Sequence, residues 1–226
     1  MKISKNTLNI LNSFVNLNPS ILIREGNILS TTNGKFEQGK KVIIKSILAV
    51  AEIEEEFDRE IGIFNLKQFL QVISSFDDPE LIFNDTYVTI SEGSNKIKYA
   101  YCDPEHIIYP NTNSLPISNV LAEFIIESKI FNKLNKLSNI LKNEDLVIKS
   151  VNNEIEILLT NDNDSSNEYC INIEKECDEF EFKTNVKDLI VMEDDYKAQV
   201  VDVKGRNVLY LEGLNNNLKY YITKKA

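Results

Sequence analysis

Phe64-Asn65-Leu66-Lys67-Gln68-Phe69-Leu70 and Thr184-Asn185-Val186-Lys187-Asp188-Leu189-Ile190 share Asn and Lys at matching places, with apolar residues around them. A second pair keeps step with the first. Ile90-Ser91-Glu92-Gly93, followed by Ile97-Lys98-Tyr99, matches Tyr210-Leu211-Glu212-Gly213, followed by Leu218-Lys219-Tyr220. The offset stays at about 120 residues with small shifts, which marks a duplicated domain. Each half reads as one helix, several strands, a second helix and three strands. Two helices cannot cover both faces of so many strands, so they should pack on one side of an antiparallel sheet, an α+β class.

Outward from those pairs, residues 4–16 read as a helix. Leu8, Leu11 and Val15 recur at steps of three and four, Ile10 and Phe14 widen the apolar face, and Ser4 or Asn6 can cap the start. Strand-like runs follow at 20–24, 27–32, 40–48 and 56–64, then a helix at 65–74 and strands at 81–84, 87–91 and 96–101. Residues 103–119 carry Pro104, Pro110 and Pro116 among Asn and Ser, and read as a connector. The expected division is a first domain over 1–104, a connector over 105–119 and a second domain over 120–226. In the second half Ser128 should cap a helix with the stripe Ile130, Leu134, Leu137 and Leu141. Strands follow at 145–151, 154–160, 168–174 and 179–183, a short helix at 185–192, and strands at 197–203, 208–212 and 218–223.

Of the 226 residues 42% are hydrophobic and 27% charged, which excludes wholesale disorder, collagen and coiled coil. No apolar run approaches the roughly 20 residues of a membrane span. Lys, Ser, Asn and Thr interrupt residues 1–15, so a signal peptide is not expected and the cytoplasm is. Cys102, Cys170 and Cys177 form no C-x-x-C, in keeping with a reducing compartment. Most enzyme chemistry is also missing. The single histidine, His106, lies in the connector, and the glycines form no phosphate cradle. Asp162, Asp164 and Glu168 fall in a segment that lacks the central Gly of an EF-hand, so a solvated hairpin loop is the better reading than a calcium site. No catalysis, cofactor or metal is expected.

A net charge of −10 repels nucleic acid on average, so any contact with DNA needs a local basic patch. Lys2, Lys5, Asn9, Asn12 and Asn16 fall within about 80° of the first helix, and that stripe holds no acid. In the second half Lys129, Lys133 and Lys136 span about 60° beside the apolar stripe. A solubilising helix face is the plain alternative. Two points favour a phosphate-binding face: an acidic chain places much of its lysine here, and both halves do so.

Met1-Lys2-Ile3-Ser4-Lys5-Asn6-Thr7 leading into a helix, and Ile61-Gly62-Ile63-Phe64-Asn65-Leu66-Lys67-Gln68-Phe69-Leu70-Gln71-Val72-Ile73-Ser74, resemble the corresponding segments of the sliding clamps of T-even bacteriophages. The likeness spans the chain in length, element order and duplication and is strongest in the first half. It implies a head-to-tail homotrimer of two-domain subunits, with helices lining a hole and sheets outside. Such a ring tethers the replicative DNA polymerase to duplex DNA in the host cytoplasm, with a clamp loader and late-transcription factors as further partners. It further implies that strand 95–102, with Lys96, Lys98, Tyr99 and Tyr101, pairs with strand 168–174 of the neighbour, with Glu168, Cys170, Asn172 and Glu174. A pocket under the linker would receive partner peptides, with Ile107, Ile108 and Tyr109 nearest to that role; the same residues could instead pin the linker to its sheet. A cellular clamp of the proliferating-cell-nuclear-antigen type and an acidic structural protein with a duplicated β domain stand as alternatives.

Overall fold

The computed structural model describes residues 1–37, 40–164 and 166–223. The chain forms two compact units. One comprises residues 1–45 and 49–113; the other comprises 46–48 and 114–226. The expected connector is thus divided, with 105–113 in the first unit and 114–119 in the second.

In the first unit α1 (Lys5–Val15) begins at Ser4, whose hydroxyl oxygen accepts from the Thr7 N–H at 3.2 Å. Its Thr7, Ile10, Leu11 and Phe14 are buried. β1 (Ile21–Ile23) and β4 (Ile61–Ile63) pair antiparallel and are buried throughout. Between them run β2 (Gly26–Glu37) and β3 (Lys40–Phe57), which are neighbours in one sheet. The two strands expected at 40–48 and 56–64 are therefore one strand of 18 residues followed by the separate, short β4. The reason lies between them: Ala51, Ile53, Glu55 and Phe57 point inward while Glu52, Glu54 and Glu56 point out, a two-residue period. α2 (Leu66–Ile73) starts at Asn65, which accepts from the Gln68 N–H at 3.0 Å. β5 (Glu80–Phe83), β6 (Tyr87–Glu92) and β7 (Asn95–Ala100) form a meander with β7 on its edge. Leu81 exchanges backbone bonds with Met1, at 2.8 and 2.9 Å, which holds the chain start beside β5.

In the second unit β8 (Asn119–Ile126) precedes α3 (Ser128–Leu141). The sequence reading passes over this strand, although Ala122, Phe124 and Ile126 alternate inward along it. β9 (Asp145–Val151), β10 (Glu154–Thr160), β11 (Tyr169–Ile173) and β12 (Glu181–Asn185) make a sheet in the order β11-β10-β9-β12. β13 (Tyr196–Asp202), β14 (Asn207–Gly213) and β15 (Leu218–Thr223) continue from β8 in the order β8-β13-β14-β15. Phe131 of α3 packs edge-on against Tyr196, and Tyr196 against Tyr220, in the centre of this unit.

The duplication survives in the strand pairings. α1 corresponds to α3, the β1–β4 pair to β9–β12, and the β5-β6-β7 meander to β13-β14-β15. The segment at Met1 stands beside β5 as β8 stands beside β13. One expected element is not there: the helix at 185–192 is a single 3-10 turn, Val186–Asp188. Ile190 and Val191 are β-branched and weak in helices. The chain beyond the turn is tied in an irregular path, since the Met192 N–H donates to the Tyr220 hydroxyl and the Tyr196 hydroxyl donates to the Met192 carbonyl. Among its described residues the second unit thus has one helix and one 3-10 turn where two helices were expected.

Candidate nucleic-acid interface

The face of α1 opposite its core carries Lys5, Asn9, Asn12 and Asn16, all exposed. The helix is fixed from inside by Glu55, which is 8% exposed on β3. Its carboxylate accepts from the Ser4 N–H and, at 2.5 Å, from the buried Thr7 hydroxyl. Burial pushes the Glu55 pKa up, but the hydrogen bonds from Ser4 and Thr7 outweigh it and hold the group below the ordinary value of 4.5. A lowered pKa in the folded state means that this stabilisation is present above the unfolded value and is lost as pH falls through the folded one. Glu55→Gln is therefore expected to cost about 1–3 kcal/mol at neutral pH and to flatten the acid limb of the stability curve, as read by denaturant melts between pH 7 and pH 3.

On α3 the expected Ser128 cap is corrected. The cap position is Glu127, which makes no side-chain cap bond, and the Ser128 N–H donates to Asp195 Oδ1 at 2.8 Å. Lys129, Lys133 and Lys136 are all exposed, but their surroundings differ. Lys129 pairs with Glu127, and that bond raises its pKa. Lys133 places Nζ 4.7 Å from the centre of the Tyr169 ring on β11. Lys136 makes no ion pair among the described residues. In the first unit Lys2 pairs with Asp78. Both basic stripes thus have acids at their margins, from Asp78 and Glu127, which a count along the helix alone did not reveal.

The two strands expected to meet between subunits are both sheet edges. On β7, Lys96 and Lys98 are exposed, with Lys98 Nζ 3.9 Å from the Tyr87 ring centre. Tyr99 turns toward α2: its hydroxyl donates to the Asn65 carbonyl at 3.2 Å, and its ring lies 5.1 Å from Phe69. Tyr101, just beyond β7, is half-buried, and desolvation pushes its phenol up to about 12. On β11, Cys170 and Asn172 are exposed; Glu174 follows, also exposed, and Glu168 precedes, its carboxylate accepting from the Thr160 hydroxyl at 2.7 Å. Two exposed apolar residues beside these edges, Phe64 and Ile140, escaped the sequence reading. A groove of about 440 Å³ between α2 and β7 is lined by Phe64, Gln68, Val72 and Tyr99, and Phe64 is 59% exposed. Ile140 on α3 is 61% exposed and lies within about 20° of Lys133 around the helix, the side that faces β11.

Of the two roles open to the linker residues, the structure places Ile107 and Ile108 as anchors of the linker. Ile107 and Ile108 are buried in the first unit, so they offer no exposed apolar surface. Ile107 packs over Gly62, where a Cβ would stand 2.2 Å from the Cys102 carbonyl oxygen, and the Ile108 carbonyl accepts from Asn18 at 2.7 Å. Tyr109 is half-buried, with the Arg24 guanidinium 5.2 Å from its ring centre. His106 is exposed on a 3-10 turn. Among the described residues no cluster of His, Cys, Asp and Glu could hold a metal ion, and no helix is long and apolar enough to cross a membrane.

The duplicated α+β architecture is shared with solved DNA clamps. The structure of A. fulgidus PCNA bound to the C-terminal region of FEN-1 matches it with a TM-score of 0.66 at 14% identity, over 97% of this chain and 94% of that one. Within that class the chain is similar to phage proteins. It is 25% identical over its full length to the whole of the sliding clamp of Vibrio phage KVP40. It is 26% identical to the sliding clamp of Escherichia phage RB69, over 70% of this chain and 65% of that protein. The resemblance to T-even phage clamps holds over the full length of the chain. No model of a protein family matches the sequence.

Proposed function

We propose that three copies of this chain close head to tail into a ring around duplex DNA in the host cytoplasm and tether the replicative polymerase there, without catalysis of their own. The observation that carries this reading is that each chain offers two lysine- and asparagine-bearing helix faces and two unpaired sheet edges of unlike charge. Lys96 and Lys98 on β7 would meet Glu168 and Glu174 beside β11. A head-to-tail contact either closes or polymerises, so unlike edges on one chain are what a ring needs. Phe64 and Ile140 would extend the contact, Ile140 entering the groove of the next copy. Lysine suits the DNA-facing role because flexible cations contact phosphates without reading bases, while the acidic remainder discourages DNA elsewhere. A clamp loader would open the ring, and late-transcription factors are further candidate partners. Sedimentation equilibrium across micromolar concentrations tests the assembly: a trimer mass is expected, and a persistent monomer would refute the ring.

Peptide capture near the linker is assigned to Tyr109, the accessible member of its apolar run. Tyr109→Ser is expected to weaken binding of a polymerase peptide by about 1–3 kcal/mol with the melting temperature nearly unchanged. Ile107→Ser, by contrast, should destabilise the first unit by about 2–4 kcal/mol. Calorimetric titration and thermal melts separate the two effects.

A further inference from the structure

Asn9, Asn12 and Asn16 stand five, eight and twelve residues after Ser4, the cap of α1. Asn132, Asn135 and Asn139 stand at the same three steps after Glu127, the cap of α3. All six are exposed. At about 100° per residue each triplet spans about 60° of its helix, turned away from Ile10, Leu11 and Phe14 on α1 and from Leu134 on α3. Lys5 lies within the first row, and Lys129 and Lys136 lie beside the second. The outermost line of both helices is therefore amide, with ammonium next to it.

Helix stability does not call for this arrangement. Asparagine is a weaker helix former than Ala, Lys, Gln or Glu, any of which an exposed position accepts. The local bonds leave capacity for a ligand. Asn12 donates to the Leu8 carbonyl at 2.9 Å, Asn139 to the Asn135 carbonyl at 3.0 Å, and Asn132 to Glu193 Oε1 at 3.4 Å. Each amide has a second N–H and a carbonyl oxygen besides.

Resting on the clamp reading above, we propose that the two asparagine rows are the surfaces that touch the phosphodiester backbone during sliding, and that they set its friction through neutral hydrogen bonds. An amide N–H can donate to a phosphate oxygen, a contact that positions without reading sequence. Being neutral, it displaces no counterion, so its share of the contact does not follow salt, whereas that of the lysines does. The lysines attract the duplex, and the amides make the short contacts that break and re-form as it moves.

The test uses the ring loaded on stretched duplex DNA and followed by single-particle tracking at about 50 mM and about 200 mM salt. With all six asparagines replaced by Ala, the diffusion coefficient is expected to rise at least about threefold at both salt concentrations, and the melting temperature should not fall, because Ala is the better helix former. Lys5→Ala, Lys129→Ala and Lys136→Ala together should instead reduce the change between the two salts. An Asn→Ala ring that encircles DNA but diffuses at the wild-type rate overturns this inference and leaves the clamp reading standing. A wild-type protein that is not retained on circular DNA overturns the clamp reading and this inference with it.

Discussion

Ile140→Asp is expected to turn the proposed trimer into monomers at micromolar concentration without unfolding either unit. The side chain is 61% exposed, so the substitution buries no charge in the isolated chain. In the ring it would place a carboxylate in the groove between Phe64 and Val72. Loss of a central apolar anchor costs about 2–4 kcal/mol, a rise in dissociation constant of about 30- to 1,000-fold. Phe64→Asp should act in the same way from the other side. A charge exchange checks the pairing of the edges: Lys96→Glu with Lys98→Glu should weaken assembly, and adding Glu168→Lys with Glu174→Lys should restore it. Light scattering of both variants reads the result. A trimer that survives Ile140→Asp and Phe64→Asp would move the interface away from β7 and β11.

The second large effect is expected on DNA. Reversing Lys5, Lys129 and Lys136 to Glu removes up to three phosphate contacts per subunit, each worth about 0.9 in the slope of log affinity against log salt. The reversed charges also repel the duplex. Folding should be untouched, because all three side chains are exposed and lie off the buried stripes. Lys133 is left out of this set since it covers the Tyr169 ring, and its loss would confuse DNA binding with the β11 edge. Processive synthesis by the polymerase should fall sharply. Wild-type processivity in the triple variant would make these lysines a solvated face and nothing more.

The parts of the fold that were legible in the sequence are those in which local signals agree. α1 and α2 each have a side-chain cap and an apolar stripe of helical period, and β5, β6 and β7 are separated by turn residues around Asn84-Asp85 and Glu92-Gly93. The failures have separate causes. β8 alternates, but only over a few residues at the end of a proline-punctuated stretch, where the turn signal dominates. The middle of β3 was hidden by its outward glutamates, which resemble a loop until the inward Ala51, Ile53 and Phe57 are read with them. The fourth helix failed because tertiary bonds from Tyr196 and Tyr220 hold Met192 in an irregular path, and no local propensity reveals that.

The candidate site divides along the same line. A helical wheel finds the lysines, because it needs only the spacing along one element. Pairing of Lys2 with Asp78 and Lys129 with Glu127, the burial of Ile107 and Ile108, and the groove beside Phe64 depend on residues brought together by the fold. Glu55 is the clearest case. One carboxylate in a run of four glutamates, Glu52 to Glu56 with Ile53 between, turns inward to hold the start of the helix that carries Lys5.

Topological retention is the direct test of a ring that encloses DNA. Labelled protein loaded by a clamp loader onto nicked circular duplex should stay bound through a high-salt wash. It should then leave within seconds to minutes once a single restriction cut provides ends. Equal loss from the circle and from the cut molecule would contradict encirclement, and with it the proposed function.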